Sequence, residues 1–268
     1  MRKKKHLRKK NNTKVAIIFV GFVVFIIAIS LVSKLILIVR QSQFDDRQRF
    51  TMTVSDSKST RVFSFSPMSR SMSILKLNES LDSKTLSKSL AIPVDAFVLE
   101  KSLEIDQKLD SILLKMILNY SKLQTNLTIL DILKLFAFAK QLPESGIYER
   151  TISQDLSKDR VDNIVGELFK DELIAKDRKT IQIINATDVA GLGNRLARLI
   201  TNMGGDVILV ATGNDLKRSS IISYVDEKGY TVERLSKILN FKTAKISDGT
   251  IADITIMIGE DNIESLPF

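Results

Sequence analysis

The stretch "VAIIFVGFVVFIIAISLVS", Val15 to Ser33, runs 19 residues without a charge. A helix of that length covers roughly 28 Å at about 1.5 Å per residue, close to the hydrocarbon thickness of a bilayer. After Lys34 a second apolar run, "LILIV", continues to Arg40. Lys34 can snorkel its ammonium to the headgroups. The pattern predicts a transmembrane anchor over residues 15–39. The flanks set its direction: "MRKKKHLRKKNNTK" (1–14) is basic without an acid, and Asp45 and Asp46 follow the span. A basic flank stays inside. The expectation is a single-pass protein of the cell membrane, its N-terminal tail cytoplasmic and the bulk of the chain extracytoplasmic. A cleaved export signal is the competing reading. The "AIS" at 28–30 is a poor small-residue cleavage site, and the apolar run continues past it, which favours an uncleaved signal-anchor. Both readings export the body. Gly21 has no small residue four positions away, so no GxxxG pairing face is expected.

The formal charge of +9 invites a nucleic-acid reading, but eight basic residues of the tail account for all but one of those charges. A near-neutral body lacks a phosphate-binding face, so no nucleic-acid partner is expected, which opposes a cytoplasmic transcription regulator. There is no cysteine, and the one histidine is His6 in the tail. The exported body therefore has no thiol nucleophile, no Ser-His-Asp or Cys-His catalysis and no His- or Cys-ligated zinc. Carboxylate and Lys/Arg chemistry remain. No metal site and no cofactor are expected.

After a polar stalk (40–48), "RFTMTVSD", "RVFSFSP" and "SMSILKL" are short alternating runs that predict an antiparallel meander over residues 49–77. "IPVDAFVLE" (92–100) predicts a further strand with Pro93 at its first turn or edge. Apolar residues at helical spacing predict helices over 106–120 and over 128–140, the latter capped by Thr128. "IYERTISQD" reads as a strand, and Ser157 as the cap of a helix reaching about residue 175. The charged "KDRK" (176–179) is the expected boundary of a small mixed α/β middle domain (49–178). Residues 179–262 then read β-α-β-β-α-β with an optional short strand at "KTAKIS", which predicts a two-layer sandwich. Residues 263–268 form a tail. The fold class is thus α+β behind a transmembrane helix.

Within "IINATDVAGLGNRLARLI" (183–200), Gly191 and Gly193 stand between a strand and a helix, as in a dinucleotide fingerprint. The third glycine position is Leu196, and no phosphate-loop lysine follows, so no nucleotide is expected. The glycines are better read as letting a tight turn enter the helix. Arg195 and Arg198 read as a solvated face, with an anion option at the helix N-terminus.

"IQIINATDVAGLGNRLARLITNMGGDVILV", "SSIISY" and "ADITIMIGED" together resemble the LytR C-terminal domain of LytR-CpsA-Psr proteins. The strand–turn–helix pattern matches at Asn185, Thr187, Val189, Gly191 and Leu192, and the closing pattern at Asp253, Gly259 and Asp261. Ala186, Asp188 and Ala190 depart from the family's glycines and proline. The resemblance implies an exported, membrane-tethered, non-catalytic binding or scaffold module acting in cell-wall or envelope polymer assembly. Its partner would be a cell-wall polymer or an envelope protein. Asn185, Thr187, Gly191 and Asp253, with Arg195 on the adjoining helix, are the candidate binding residues. The middle region (about 49–175) resembles the LytR-CpsA-Psr catalytic domain in degenerate form. Ser59-Thr60 and Glu79-Ser80 stand where those enzymes place Asp-Thr and Arg-Asp pairs that hold a metal and a lipid pyrophosphate. An anionic Glu79 in place of an arginine repels phosphate. No catalytic residue is assigned. The alternative is a pared-down phosphotransferase attaching lipid-pyrophosphate-linked glycans to the wall, and it could draw only on Asp56, Arg61, Arg70 and Glu79.

Overall fold

The computed structural model describes residues 13–100, 108–152, 157–247, 251–261 and 263–268. The chain divides into two units, the first ending at Ser42 and the second spanning Gln43–Phe268. In the first, α1 (Thr13–Gln41) is one continuous helix of 29 residues. Its stretch Ala16–Gln41 is long and apolar enough to cross a membrane, and none of it is buried against protein. Apolar side chains surround it on all sides, from Ile17 to Val39. A helix without a polar face has no place on a water-exposed surface. Nearly all of the basic tail, residues 1–12, lies outside the described residues.

The second unit holds two sheets. In chain order its first part comprises β1 (Phe50–Ser55), β2 (Thr60–Ser66), β3 (Ser71–Leu77), α2 (Ser83–Leu90), β4 (Ala96–Leu99), α3 (Leu109–Leu118), β5 (Gln124–Thr125), α4 (Ile129–Lys140), β6 (Ile147–Ile152), α5 (Lys158–Phe169) and α6 (Glu172–Asp177). The predicted meander is β1–β2–β3, antiparallel throughout. Around it the sheet becomes mixed: β4 adds parallel to β1 and β6 parallel to β3, in the order β5-β4-β1-β2-β3-β6.

Successive side chains of a strand point to opposite faces. On one face of this sheet Phe63, Phe65, Met72 and Ile74 pack against Ile112, Leu113 and Met116 of α3 and Ile132 and Leu135 of α4. On the other, Val62, Leu75 and Leu77 pack against Leu86 and Leu90 of α2 and Val165, Leu168 and Phe169 of α5. Because both faces are covered, β1 and β2 are buried along their whole length.

Thr128 caps α4 as expected, in a capping box with Asp131. Ser157 sits at the N-cap of α5 but makes no side-chain capping bond. The single helix expected over 157–175 is broken. Residues 170–171 leave the helix so that the Asp171 N–H donates to the Met203 carbonyl (2.8 Å), and the Asp171 carboxylate then caps α6 at Leu173 (3.1 Å). Residues 106–107 and 153–156 of the expected helix and strand lie outside the described residues.

The rest comprises β7 (Thr180–Asn185), α7 (Leu192–Asn202), β8 (Asp206–Thr212), β9 (Ile221–Tyr224), α8 (Tyr230–Leu239), β10 (Lys242–Lys245) and β11 (Ile254–Ile258). This is the predicted β-α-β-β-α-β order, with the optional strand present as β10. The sheet order is β10-β9-β11-β7-β8, with only the β9–β11 pair antiparallel. Leu196, Leu199 and Ile200 of α7 and Val232, Leu235 and Leu239 of α8 meet Ile181, Ile183, Ile254, Ile256 and Ile258 in one core. Ala91 and Ile174 from the first part also lie in that core. The "KDRK" segment is held on both sides of the junction. Asp177 accepts from the Thr231 N–H and hydroxyl (3.1 and 2.6 Å), and Lys179 pairs with Asp226 (2.9 Å).

Candidate functional site

The turn between β7 and α7 is closed by its own side chains. The Asn185 side-chain NH2 donates to the Val189 carbonyl (2.9 Å), while its carbonyl accepts from the Thr187 hydroxyl (2.8 Å) and N–H (3.3 Å). The Thr187 hydroxyl in turn accepts from the Val189 N–H (3.2 Å). Asn and Thr are the residue types whose short polar side chains can replace backbone partners in such a turn. Gly191 takes φ +79°, a conformation that favours glycine, and opens into free space. Gly193 faces the sheet, where an added Cβ would stand 2.8 Å from Val210. Arg195 is exposed. Arg198 grips Asp162 of α5 in a bidentate pair (2.9 and 2.9 Å from Nε), so it belongs to an interhelical contact rather than to a solvated face.

Asp253 stands at the opposite end of the sheet. Asp253 adjoins Ile254, which pairs with Ile181, while Ile258 pairs with Asn185, so roughly five residue spacings, about 16 Å, separate the two sites. The Asp253 carboxylate accepts from both the N–H and the hydroxyl of Thr180 (2.8 Å each), and Lys179 lies 3.8 Å away. The Thr180 bonds, with Lys179 behind them, hold its pKa below the ordinary carboxylate value. A depressed pKa means that this group stabilises the fold above about pH 4 and loses that contribution as the pH falls through its folded value. Asp253→Asn is therefore expected to flatten the acid limb of the stability–pH profile below about pH 4, read by thermal unfolding. An unchanged acid limb would contradict the assignment. The closing pattern is used in the same way: Asp261 accepts from the Ser220 N–H (2.7 Å) and hydroxyl (2.6 Å), and the Gly259 N–H donates to the Ser220 hydroxyl (2.9 Å). The polar residues of the family pattern are thus spent on the fold itself.

The four charges considered for phosphoryl transfer are split between the two ends of the first sheet, with Arg70 apart from the other three. Asp56 sits in the β1–β2 turn and accepts from the N–H groups of Lys58 and Ser59. Glu79 follows β3 at the same end of the sheet, where the Ser80 hydroxyl donates to the Asp56 carbonyl (2.6 Å). Arg70 lies in the β2–β3 turn at the other end, with φ +47°. The register from Thr60–Leu77 to Ser66–Ser71 puts about 20 Å between the two ends. Arg61 is buried on the face covered by α3 and α4. Among the described residues no three His, Cys, Asp or Glu side chains are grouped to hold a metal.

Arg61 does line a cleft of about 460 Å³ between the sheet and the α3–α4 pair. Phe63, Met72 and Ile74 form its floor, and Lys76, Lys108 and Lys140 stand among Asp110, Glu144 and Glu149 at its rim. Lys76 is paired with Glu149, and Lys140 with Asp110 (3.3 Å). The cleft is amphiphilic, with one buried guanidinium.

The strongest polar constellation was not singled out by sequence reasoning. Arg234 of α8 is among the largest fully buried side chains and binds Asp95 through two parallel bonds (2.8 and 3.0 Å). Its Nε lies 3.8 Å from Asp171, to which the Tyr230 hydroxyl also donates (2.8 Å). Asp95 further accepts the Thr51 N–H (2.8 Å). Burial works against the Arg234 charge, yet Asp95, with Tyr230 and Asp171, raises its pKa above the ordinary arginine value. Burial, then Asp171, raises that of Tyr230. Beside them Arg49 donates to the carbonyls of Leu168 and Lys170 and to the Ser64 hydroxyl (2.8 Å), and burial lowers its pKa. Asp95 and Arg234 are 139 residues apart, so no local spacing announces the pair.

The C-terminal part is thus a five-stranded mixed sheet with two helices on one face, entered through an Asn-x-Thr turn and closed by an Asp–Ser staple. Residues 178–261 are similar to the LytR C-terminal domain. They match the LytR_C family, described as "LytR cell envelope-related transcriptional attenuator", and the match does not reach residues 49–175. No curated relative matches the chain. Among solved structures, the transcriptional regulator yvhJ from Bacillus subtilis is similar at 12% identity, covering 45% of this chain and 97% of its own, with a TM-score of 0.35. The Lin1025 protein from Listeria innocua is similar at 9% identity, covering 46% of this chain and 97% of its own, with a TM-score of 0.34.

Proposed function

We propose that this is a single-pass cell-envelope protein with its N-terminus in the cytoplasm, whose extracytoplasmic body binds a cell-wall polymer or an envelope protein and catalyses nothing. One observation carries the reading: a domain of a cell envelope-related family lies on the same chain as a 26-residue helix apolar enough to cross a membrane. The use of the family's polar residues as internal staples supports a module that presents a surface rather than a reaction centre. The near-neutral body weighs against a nucleic-acid partner. The phosphotransferase alternative needs carboxylate and guanidinium groups within a few ångströms of one metal, and the separation of Arg70 from Asp56 and Glu79 by about 20 Å along the sheet weighs against a site using all four.

Protease digestion of intact cells carrying a tag at each end tests the topology. The C-terminal tag is expected to be lost and the N-terminal tag retained. A C-terminal tag that survives until the cells are lysed overturns the reading. With topology established, incubation of the purified full-length protein with cell-wall polymer and with solubilised envelope proteins is expected to retain at least one of them.

A further inference from the structure

The helical hairpin α3–α4 is apolar on both sides. Its inner side is accounted for by the core against the sheet. At about 100° per residue, Leu114 and Leu118 of α3 fall opposite Leu109, Ile112, Leu113 and Met116, and Leu133 and Ala137 of α4 fall opposite Ile132 and Leu135. They are exposed: Leu118 by 74%, Leu114 and Leu133 by 46% each. Lys115, Lys122 and Lys134 lie among them, and Tyr120 stands just past the end of α3, its hydroxyl donating to the Leu127 carbonyl (2.9 Å). A helix face of leucines fringed by lysines and a tyrosine is the composition of a membrane-interface surface.

The chain itself says what lies beside it. The N–H groups of Gln43 and Phe44 donate to the buried carboxylate of Asp131 (2.8 and 2.9 Å), and Lys134 donates to the Phe44 carbonyl (3.3 Å). The start of the second unit is therefore tied to the N-terminal turns of α4. Arg40, the last charged residue of the apolar helix, is three residues before Gln43, a reach of at most about 10 Å. The polar headgroup layer on each side of a bilayer is itself roughly 5–7 Å deep.

We infer that the outer face of α3–α4, centred on Leu118, Leu114 and Leu133, docks on a lipid surface. This rests on the single-pass reading above. The leucines enter the headgroup–acyl boundary, and the lysines reach the anionic lipid phosphates.

The absence of cysteine makes the test direct, because any cysteine introduced is the only one to label. Full-length Leu118→Cys, Ile27→Cys and Leu216→Cys proteins carry one fluorophore each and are reconstituted into vesicles of phosphatidylcholine and phosphatidylglycerol. Quenching is read with iodide in the water and with doxyl groups on the lipid chains. The label at 118 is expected to be quenched by lipid and severalfold less by iodide than the label at 216, an exposed site in the C-terminal module. A label at 118 as open to iodide as that at 216 overturns the inference. So does one shielded from iodide without lipid quenching, which assigns the face to a protein partner or a second copy. The label at 27 separates the two proposals: if lipid does not quench it, the anchor itself fails, whereas lipid quenching at 27 without quenching at 118 sinks only the docking.

Discussion

Replacing Arg234 with methionine is expected to destabilise the body by about 3–5 kcal/mol, the cost of removing one partner from a buried ion pair. The Asp95 side chain is only 8% exposed and that of Asp171 4%, so neither carboxylate can turn to water once the guanidinium is gone. The loss falls between the parts of the body, since Asp95 bonds β1 through the Thr51 N–H while Arg234 belongs to α8. Urea unfolding of the full-length protein in detergent reads the effect. Arg234→Lys is expected to rescue little, because an ammonium cannot make two parallel bonds to one carboxylate. Arg234→Met combined with Asp95→Asn is expected to recover part of the loss: the amide still accepts from Thr51 but carries no buried charge. The coupling between the two sites is expected at about 0.5–3 kcal/mol. With its pKa held above the ordinary arginine value, Arg234 itself stays charged throughout the accessible range. A single-mutant loss below about 1 kcal/mol would show that the pair is not what joins the module to the rest.

What the sequence disclosed and what it withheld divide along contact distance. The meander from Phe50 to Leu77, the capping of α4 by Thr128 and the stripe of Leu196, Leu199 and Ile200 on α7 are local patterns, and the structure has each of them. The parallel additions of β4 to β1 and β6 to β3 are not local. Met72 and Ile147 are register partners 75 residues apart, and nothing between them encodes the pairing. The apolar spacing of Val161, Ile164, Val165, Leu168 and Ile174 runs on through Lys170 and Asp171, so periodicity alone joins α5 to α6. The break comes from a tertiary bond to Met203 and from the buried carboxylate of Asp171. The candidate site shows the same division. Asn185, Thr187 and Asp253 carry the pattern of the family, and that pattern was visible, but it names bonds that close a turn and seat a strand. The Arg234 network and the exposed leucines of α3–α4 lack such a signal. A lone arginine in "TVERLSKILN" reads as solvated until its partner is known, and a leucine on the outer side of a helix is indistinguishable in sequence from one on the inner side.

Gly259→Ala is the second large effect expected, and it separates space from conformation as the reason for a glycine. An added Cβ would lie 2.6 Å from the carbonyl carbon of Ser219 and 2.8 Å from its nitrogen and oxygen. These are backbone atoms and cannot swing aside. The segment they belong to is fastened to the end of β11 by bonds from Glu260 to the Lys217 carbonyl (2.8 Å) and from Asp261 to the Arg218 carbonyl (3.0 Å), besides the Ser220 staple. Making room for a methyl group must part these segments. Overpacking costs about 1–3 kcal/mol and each bond lost about 1 kcal/mol more, so a loss of about 3 kcal/mol or greater is expected. Gly191 is the opposite case. Its surroundings are open and only its φ of +79° resists a side chain, so Gly191→Ala is expected to cost about 1–2 kcal/mol and Gly191→Asn less. Thermal unfolding of the full-length variants ranks them. If Gly191→Ala proves as damaging as Gly259→Ala, the turn is carrying more than backbone geometry, and the glycine that first suggested a phosphate cradle regains its claim to a ligand. If the order holds, the glycines of the pattern are explained by the packing of one strand end against one loop, and binding must be sought on the surfaces that the fold leaves open.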